Sequence, residues 1–263
     1  MKKTTIAETG FLGAAVLSAS LTALILIFML FLGFPLFRGG YIITLLTTPW
    51  NPDKGFFGIY PMLAGTLSMV LLSLCWAFPL SLGASALISV IAPPGFAKFC
   101  KKTVQMMTGI PTVIYGFVGV FLLVPFVREM FASGSGMSIL SASLMLSMVI
   151  SPTMILIFTD TFESLPAAYS AAADALGASP VQKFVYVILP YSRRGIFAGL
   201  ILSVGRAMGD TLIALMLAGN AVAVPGSILD SARTLTAHIA LVIAADFDSI
   251  EFKTIFAAGL VLY

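Results

Sequence analysis

The chain has 263 residues, of which 59% are hydrophobic and 10% charged, against about 25% charged in an ordinary soluble domain. With a mean hydropathy of +1.07 it carries more apolar surface than a water-soluble fold can bury, so its expected class is an all-α integral membrane protein. The net charge of +3 comes from scattered residues and offers no basic patch for nucleic acid. The two cysteines, Cys75 in an apolar run and Cys100 in a basic cluster, do not suggest a disulfide framework. A single histidine, His238, excludes a multi-histidine metal site within the chain.

The chain opens Met-Lys-Lys and then runs uncharged from Thr9 to Phe37, 29 residues. That is much longer than the apolar stretch of a signal peptide, and no small-x-small cleavage pattern follows it. It reads as a retained transmembrane helix with Lys2 and Lys3 as its cytoplasmic anchor. Crossing the hydrocarbon takes roughly 20 apolar residues. Further uncharged runs lie at Gly55–Ala97, Thr103–Val127 and Met130–Thr159, and a fifth at Gly195–Leu229 is broken only by Arg206 and Asp210. The second run spans 43 residues. It reads as one long helix, about Tyr60–Ile91, kinked at Pro79 and ended by Pro93-Pro94, because a single crossing puts Lys98, Lys101 and Lys102 in the cytoplasm. A sixth run starts at Thr254 and stops at Tyr263, about 15 Å of helix, so the last span is expected to be incomplete.

The expected topology is therefore six transmembrane helices with both termini inside. Eight basic residues then fall in cytoplasmic segments (Lys2, Lys3, Lys98, Lys101, Lys102, Lys183, Arg193, Arg194) and five outside (Arg38, Lys54, Arg128, Arg233, Lys253), a bias in the direction that sets orientation. Residues 1–58 form an N-terminal helix with an external loop, and 59–263 the main membrane domain. No Gly-x-x-x-x-Gly-Lys-Ser/Thr occurs, so no ATP site is expected in this chain.

The widest cytoplasmic segment is 160–194. Ser164 is an expected N-cap, Pro166 suits a first helical turn, and the alanines up to Ala175 favour helix. Gly177 suits the position just past the end. Ser179-Pro180 begins a second short helix, Val181–Leu189, stopped by Pro190. Two helices joined by a glycine make a knob on the inner face; as local chemistry it serves equally as an ordinary link between spans or as a partner's docking point.

The residues Ala171-Ala172-Ala173-x-Ala175-Leu176-Gly177-Ala178, followed by Val187-Ile-Leu189-Pro190 and Gly195, resemble the EAA loop of ABC importer permeases. Ala171 stands where that family often has Glu; helix and turn chemistry survive the change, but any contact of the Glu is lost. Gly205-Arg206-Ala-Met-Gly-Asp210-Thr211, with Leu217-Ala-Gly-Asn220, is similar to the Gly-Arg-Ala-x-Gly-Glu-Thr segment of phosphate importer permeases. Gly109-Ile-Pro-Thr-Val-Ile-Tyr-Gly116, Leu229-Asp-x-x-Arg-Thr-Leu-Thr236, Trp50-Asn-Pro and Gly58-Ile-x-Pro61 resemble the PstC-type branch. The resemblance covers about Trp50 to the C-terminus. It implies a MetI-like permease core with 160–194 as the coupling loop, seated on an ATPase subunit through Ala171, Ala172, Ala173, Leu176, Gly177, Ala178, Leu189 and Pro190. It also implies a second homologous permease, a pair of ABC ATPase subunits that bind ATP and Mg, and an extracytoplasmic phosphate-binding protein. No cofactor is implied for this chain, and it is not itself an enzyme.

Arg206 and Asp210 are the only charges within an expected span. Isolated membrane charges cost on the order of 2.5–3.5 kcal/mol each on insertion scales. Four apart on one helix they are expected to meet, either as a structural ion pair or as a solute-path pair. In the second reading the guanidinium fork matches phosphate oxygens. Asp210 then tethers Arg206 and moderates its grip, or accepts the proton of hydrogen phosphate, which sulfate lacks. Asp replaces the family's Glu, so another tetrahedral oxyanion stays open. Thr211, and Thr108, Pro111 and Tyr115 on the third helix, line the path by resemblance; as packing residues they need no function. Arg233, Thr234, Thr236 and His238 lie outside, either lining an external entrance or holding a loop. Met145, Met148 and Met154 read as packing or lipid-facing residues rather than metal ligands. Two other readings compete: an ion-coupled carrier, which leaves the EAA-like loop unexplained, and an intramembrane aspartyl protease built on Gly209-Asp210, which lacks a second Asp at membrane depth.

Overall fold

The first uncharged run folds as one helix, α1 (Ile6–Phe37). A computed structural model describes residues 6–37, 41–132, 134–247 and 249–263; Lys2, Lys3 and Arg38, given roles above as anchor and external charge, lie outside them. Among the described residues the regular structure is helical apart from one hairpin of two-residue strands, and the chain falls into two compact units, residues 1–60 with 238–263, and residues 61–237.

In the first unit, α1 presents an almost wholly exposed apolar surface, as a lipid-facing helix does. Along one side it meets α13 (Ile250–Leu262), where Gly259 leaves room for Met29 and Phe28 sets its ring edge-on to Phe256 at 5.9 Å. A short helix α2 (Tyr41–Thr47) leads into strands β1 (Trp50–Asn51) and β2 (Phe56–Phe57), paired Trp50 to Phe57, with Gly55 at φ +74° closing the turn. Trp50 is buried and stands edge-on to His238 at 4.5 Å and to Phe57 at 5.8 Å.

The second unit is built on α7 (Ile139–Glu163), most of which is buried. Its apolar side chains Leu146, Ile150, Met154 and Phe158 are fully enclosed. Its buried serines each donate to a carbonyl of the preceding turn or loop (Ser141 to Gly136, Ser143 to Leu140, Ser147 to Leu144), so these small polar groups pack tightly with their hydroxyls paired. Helix α10 (Leu189–Met208) lies against α7, with Gly195 over Thr161 and Gly199 over Phe158; side chains at these two glycines would occupy the partner helix's own atoms. Met145 and Met154 are core residues and Met148 is half exposed, as expected of packing and lipid-facing positions.

Five helices among the described residues are long and apolar enough to cross a membrane: 8–34, 60–91, 112–131, 139–163 and 180–208. The second confirms one long helix: α3 (Tyr60–Ala86), with Pro79 inside it, passes into a π turn at Leu87–Ile91 and ends in extended Ala92 and Pro93. A sixth crossing is not among them, since α13 has 13 residues.

Three boundaries differ from the sequence expectation. The third run is not one helix. An amphipathic helix α4 (Pro94–Thr108) holds the lysines, and the chain breaks at Gly109–Pro111 before α5 (Thr112–Val118), a π turn and α6 (Val124–Phe131). Proline drives the residue before it out of the helical region and has no N–H to give. Ser164 caps the C-terminus of α7, donating to Thr161, rather than starting the next helix, and Pro166 is the N-cap of α8 (Ala167–Ala175), not part of its first turn. Pro190 does not stop a helix. From α9 (Pro180–Lys183) the chain continues through a π turn at Phe184–Ile188 into α10. The wider π turn gives the proline ring room where a regular turn would clash, and its missing N–H falls where the hydrogen-bond register changes.

Candidate functional site

The segment from Gly205 to Thr236 positions the charges singled out above. Helix α10 ends at Met208, Gly209 closes it, and a new short helix α11 (Leu212–Leu217) begins after Thr211. Arg206 and Asp210 therefore do not share a helix face. The Arg206 guanidinium, exposed on this unit, donates through Nη1 to Thr153 Oγ1 at 3.0 Å. The Asp210 carboxylate serves the next helix, its Oδ1 accepting from Ile213 N at 2.9 Å. The expected ion pair is absent: the ion pairs among the described residues join Lys101 to Asp160 and Glu163, and Lys183 to Asp174. The reason is local. Asp four residues after Arg would share its face in a continuous helix, but a short carboxylate next to Gly209 serves the orphan N–H groups of the following helix instead.

After α11 the chain is irregular until α12 (Leu235–Val242). Buried irregular backbone needs partners for its polar groups, and here α7 supplies them. The N–H groups of Ser138, Ile139 and Leu140 donate to the carbonyls of Leu217, Asp230 and Ile228 at 3.0, 3.0 and 2.8 Å. Gly219 (φ +83°) and Asn220 (φ +59°) reverse the chain, and Ala232 N donates to Ala218 O while Asn220 N donates to Ala232 O. Arg233 Nε donates to Asn220 O at 3.2 Å. Thr234 is 1% exposed and N-caps α12, its Oγ1 accepting from Ala237 N at 3.1 Å. Thr236 Oγ1 donates to Asp210 O at 3.2 Å, tying the helix break to this loop.

Thr234 and Arg233 thus hold a loop, the second of the two roles weighed for them. His238 is fully buried, with Nε2 3.2 Å from Thr254 Oγ1 and its ring on Trp50, so it does not line an opening. Thr108 and Tyr115 flank the α4–α5 break and bond within it, Thr108 Oγ1 to Gln105 O and Tyr115 OH to Met107 O, not to Arg206 or Asp210. Thr211 accepts from Leu215 N inside α11. Sequence reasoning missed Thr153, the Arg206 acceptor; its signal was a hydroxyl beside Pro152 in the fourth span.

The helix–glycine–helix knob has firm local causes. Ser179 and Gln182 form a reciprocal capping box at the start of α9, with Pro180 at the first helical position. Gly177 takes φ +74° beyond α8. Lys183 clips the two helices together, pairing with Asp174 and donating to Ser170 Oγ. The tip is apolar and bare: Leu176 is 88% exposed, with Ala171 and Ala172 exposed beside it, while Ala173 is buried and anchors the turn. Removing the cap with Ser179→Ala will loosen this joint by about 1 kcal/mol; hydrogen exchange at residues 181–184 will speed up about five-fold, with exchange in α7 unchanged.

A family model described as "Binding-protein-dependent transport system inner membrane component" matches residues 96–247, more than half of the chain. The chain belongs to that family. The match runs from α4 past α12 and so includes the knob, the helix break and the loop. Relatives include a "Probable ABC transporter permease protein YqgH" of Bacillus subtilis, 34% identical over 216 residues, covering 81% of this chain and 70% of the relative. A "Phosphate transport system permease protein PstC" of Mesorhizobium japonicum is 27% identical over 238 residues, covering 83% and 73%. Among solved structures, a bacterial alginate ABC transporter with its periplasmic protein aligns at TM-score 0.65 and 17% identity, over 97% of this chain and 90% of that one. The MetNI methionine transporter aligns at 0.57 and 18%, over 78% and 87%. At these identities the likeness shows a shared fold, the MetI-like all-α membrane core.

Proposed function

We propose that this chain is a permease subunit of an ATP-driven importer of inorganic phosphate or a related tetrahedral oxyanion. One observation carries the substrate class: a chain similar over most of its length to PstC permeases breaks its fifth long helix beside Arg206, leaving a guanidinium exposed on the unit's surface. A planar donor fork at that place suits phosphate oxygens, and a second homologous permease facing it would complete a path. Thr211, Tyr115 and Thr108 belong to the same proposed path. With Asp210 committed to Ile213, its part is to fix the break that aims Arg206, rather than to tether the guanidinium.

The chain is a multi-pass membrane transport component rather than an enzyme. ATP and Mg belong to a pair of ATPase subunits, which bind the knob at 160–194. The exposed Leu176 with Ala171 and Ala172 offers an apolar tip that would be costly to leave in water, and the Lys183–Asp174 clip makes it stiff enough to transmit a push into α10. In this orientation the knob and both termini face the cytoplasm, and an extracytoplasmic binding protein delivers the anion on the opposite side.

The test is reconstitution of this chain with its partner permease, the ATPase and the binding protein. Phosphate-loaded binding protein is expected to stimulate ATP hydrolysis. Absence of stimulation by any oxyanion-loaded binding protein, in a complex that hydrolyses ATP, would reject the importer reading.

A further inference from the structure

Apart from Thr108 at its end, helix α4 is absorbed neither by the path nor by the knob. It is not among the five membrane-length helices, and at 3.6 residues per turn its surface divides into three strips. Ala97, Cys100, Lys101 and Val104 face the unit, with Val104 buried. Phe96, Phe99 and Met106 form a second strip, exposed by 51, 67 and 70%. Lys98 and Lys102 form the third; both are exposed, and no ion pair or hydrogen bond engages either among the described residues.

A strip of large apolar side chains beside a strip of free lysines fits the boundary of a bilayer. The rings enter the acyl region while the lysine stems run up to the phosphates. The cytoplasmic leaflet supplies the matching charge, because anionic headgroups there attract nearby basic residues.

The inner face of α4 ties this strip to the rest of the unit. Lys101 Nζ lies 3.0 Å from Asp160 Oδ1 and 2.8 Å from Glu163 Oε2, in the last turn of α7, directly before the knob. The Glu163 hydrogen bond, with Asp160 adding to it and burial opposing, holds the Lys101 ammonium above its ordinary 10.5. On the lysine side the tie is complete below the ordinary value and is lost as pH climbs through the raised one, so it is constant in the neutral range.

We infer that α4 is an interfacial helix that binds anionic phospholipid of the cytoplasmic leaflet. Lys98 and Lys102 take the headgroup phosphates, and Phe96, Phe99 and Met106 the acyl chains. Through Lys101 this seat steadies the end of α7 from which the knob projects, so ATP-driven coupling depends on anionic lipid. The placement rests on the orientation proposed above.

The test uses the assembled complex in nanodiscs of phosphatidylcholine with or without phosphatidylglycerol. Phe99→Trp reports the lipid beside α4 through quenching by brominated lipids, the signal of Trp50 and Trp76 being subtracted with the parent complex. Brominated phosphatidylglycerol is expected to quench more than brominated phosphatidylcholine. The preference should fall about five-fold with each of Lys98→Gln and Lys102→Gln. Stimulated ATP hydrolysis should drop several-fold without the anionic lipid, and Lys101→Met should keep the quenching while removing that dependence. Equal quenching by the two lipids overturns the proposal. So does absence of quenching in the assembled complex, which would mean that an ATPase or permease partner covers α4. Hydrolysis indifferent to lipid, or a Lys101→Met complex that keeps its lipid dependence, overturns the coupling role. Selective quenching with no stimulation by any loaded binding protein leaves the lipid seat standing and rejects the importer.

Discussion

Arg206→Ala is expected to lower phosphate uptake into proteoliposomes about ten- to a hundred-fold while the complex still assembles and hydrolyses ATP. The guanidinium sits at the last turn of α10, anchored at one nitrogen by Thr153 Oγ1 and exposed elsewhere. Its remaining donors are free to meet an anion, and a hydrogen bond to a charged group contributes about 1.5–3 kcal/mol, which corresponds to that range of rates. Arg206→Lys keeps the charge but not the fork, and should recover part of the loss. Thr153→Val removes the aim but not the charge, and should cost a few-fold. Thermal stability separates this role from a structural one. An unpaired membrane charge is a burden on insertion, so Arg206→Ala should leave the melting temperature unchanged or raise it. Normal uptake by an assembled Arg206→Ala complex would remove Arg206 from the path.

Gly219→Val is expected to be the most destabilising single substitution in the loop after α11, by about 3 kcal/mol or more. Gly219 has φ +83°, a region that costs a residue with a Cβ about 1–2 kcal/mol, more if it is β-branched. The space a Cβ needs is already taken by the Ser231 side chain and the Met137 carbonyl, and overpacking adds typically 1–3 kcal/mol. Ser231 cannot simply turn away, because its Oγ donates to Met137 O at 2.8 Å. The damage should spread, since this loop supplies carbonyls to the first N–H groups of α7. Detergent-purified protein should lose its monodisperse peak at a temperature several degrees lower, and hydrogen exchange at 138–140 should rise. Asn220, also at positive φ, tolerates that region better than most residues, so Asn220→Gly should be mild by comparison. A Gly219→Val protein as stable as the parent would mean the loop is held by something other than these contacts.

Much of the architecture was legible because it follows from chemistry close in sequence. The long helix at 60–91, the serine cap and proline at 179–180, and the left-handed Gly177 were each expected from the residues themselves. The misreadings fall at proline and glycine, whose effect depends on the turn around them. Pro190 rides through on a π turn, Pro111 splits a run that hydropathy alone makes continuous, and Gly209 ends a helix that two well-spaced charges suggested was unbroken. Hydropathy measures solvent preference, and a helix break shielded by neighbouring protein does not change it.

The sequence by itself determined that this protein lives in lipid, which segments are long enough to cross it, and which two charges had to be accounted for there. Composition and local capping depend only on neighbouring residues, so they are readable in one dimension. Only the tertiary structure decided where those charges go. Arg206 reaches Thr153, 53 positions earlier, and Asp210 closes the next helix while its carbonyl accepts from Thr236. Which of several possible partners a side chain takes depends on what the packed helices bring within about 3 Å. In this chain that is set by α7, against which α10, α11 and the loop are all arranged.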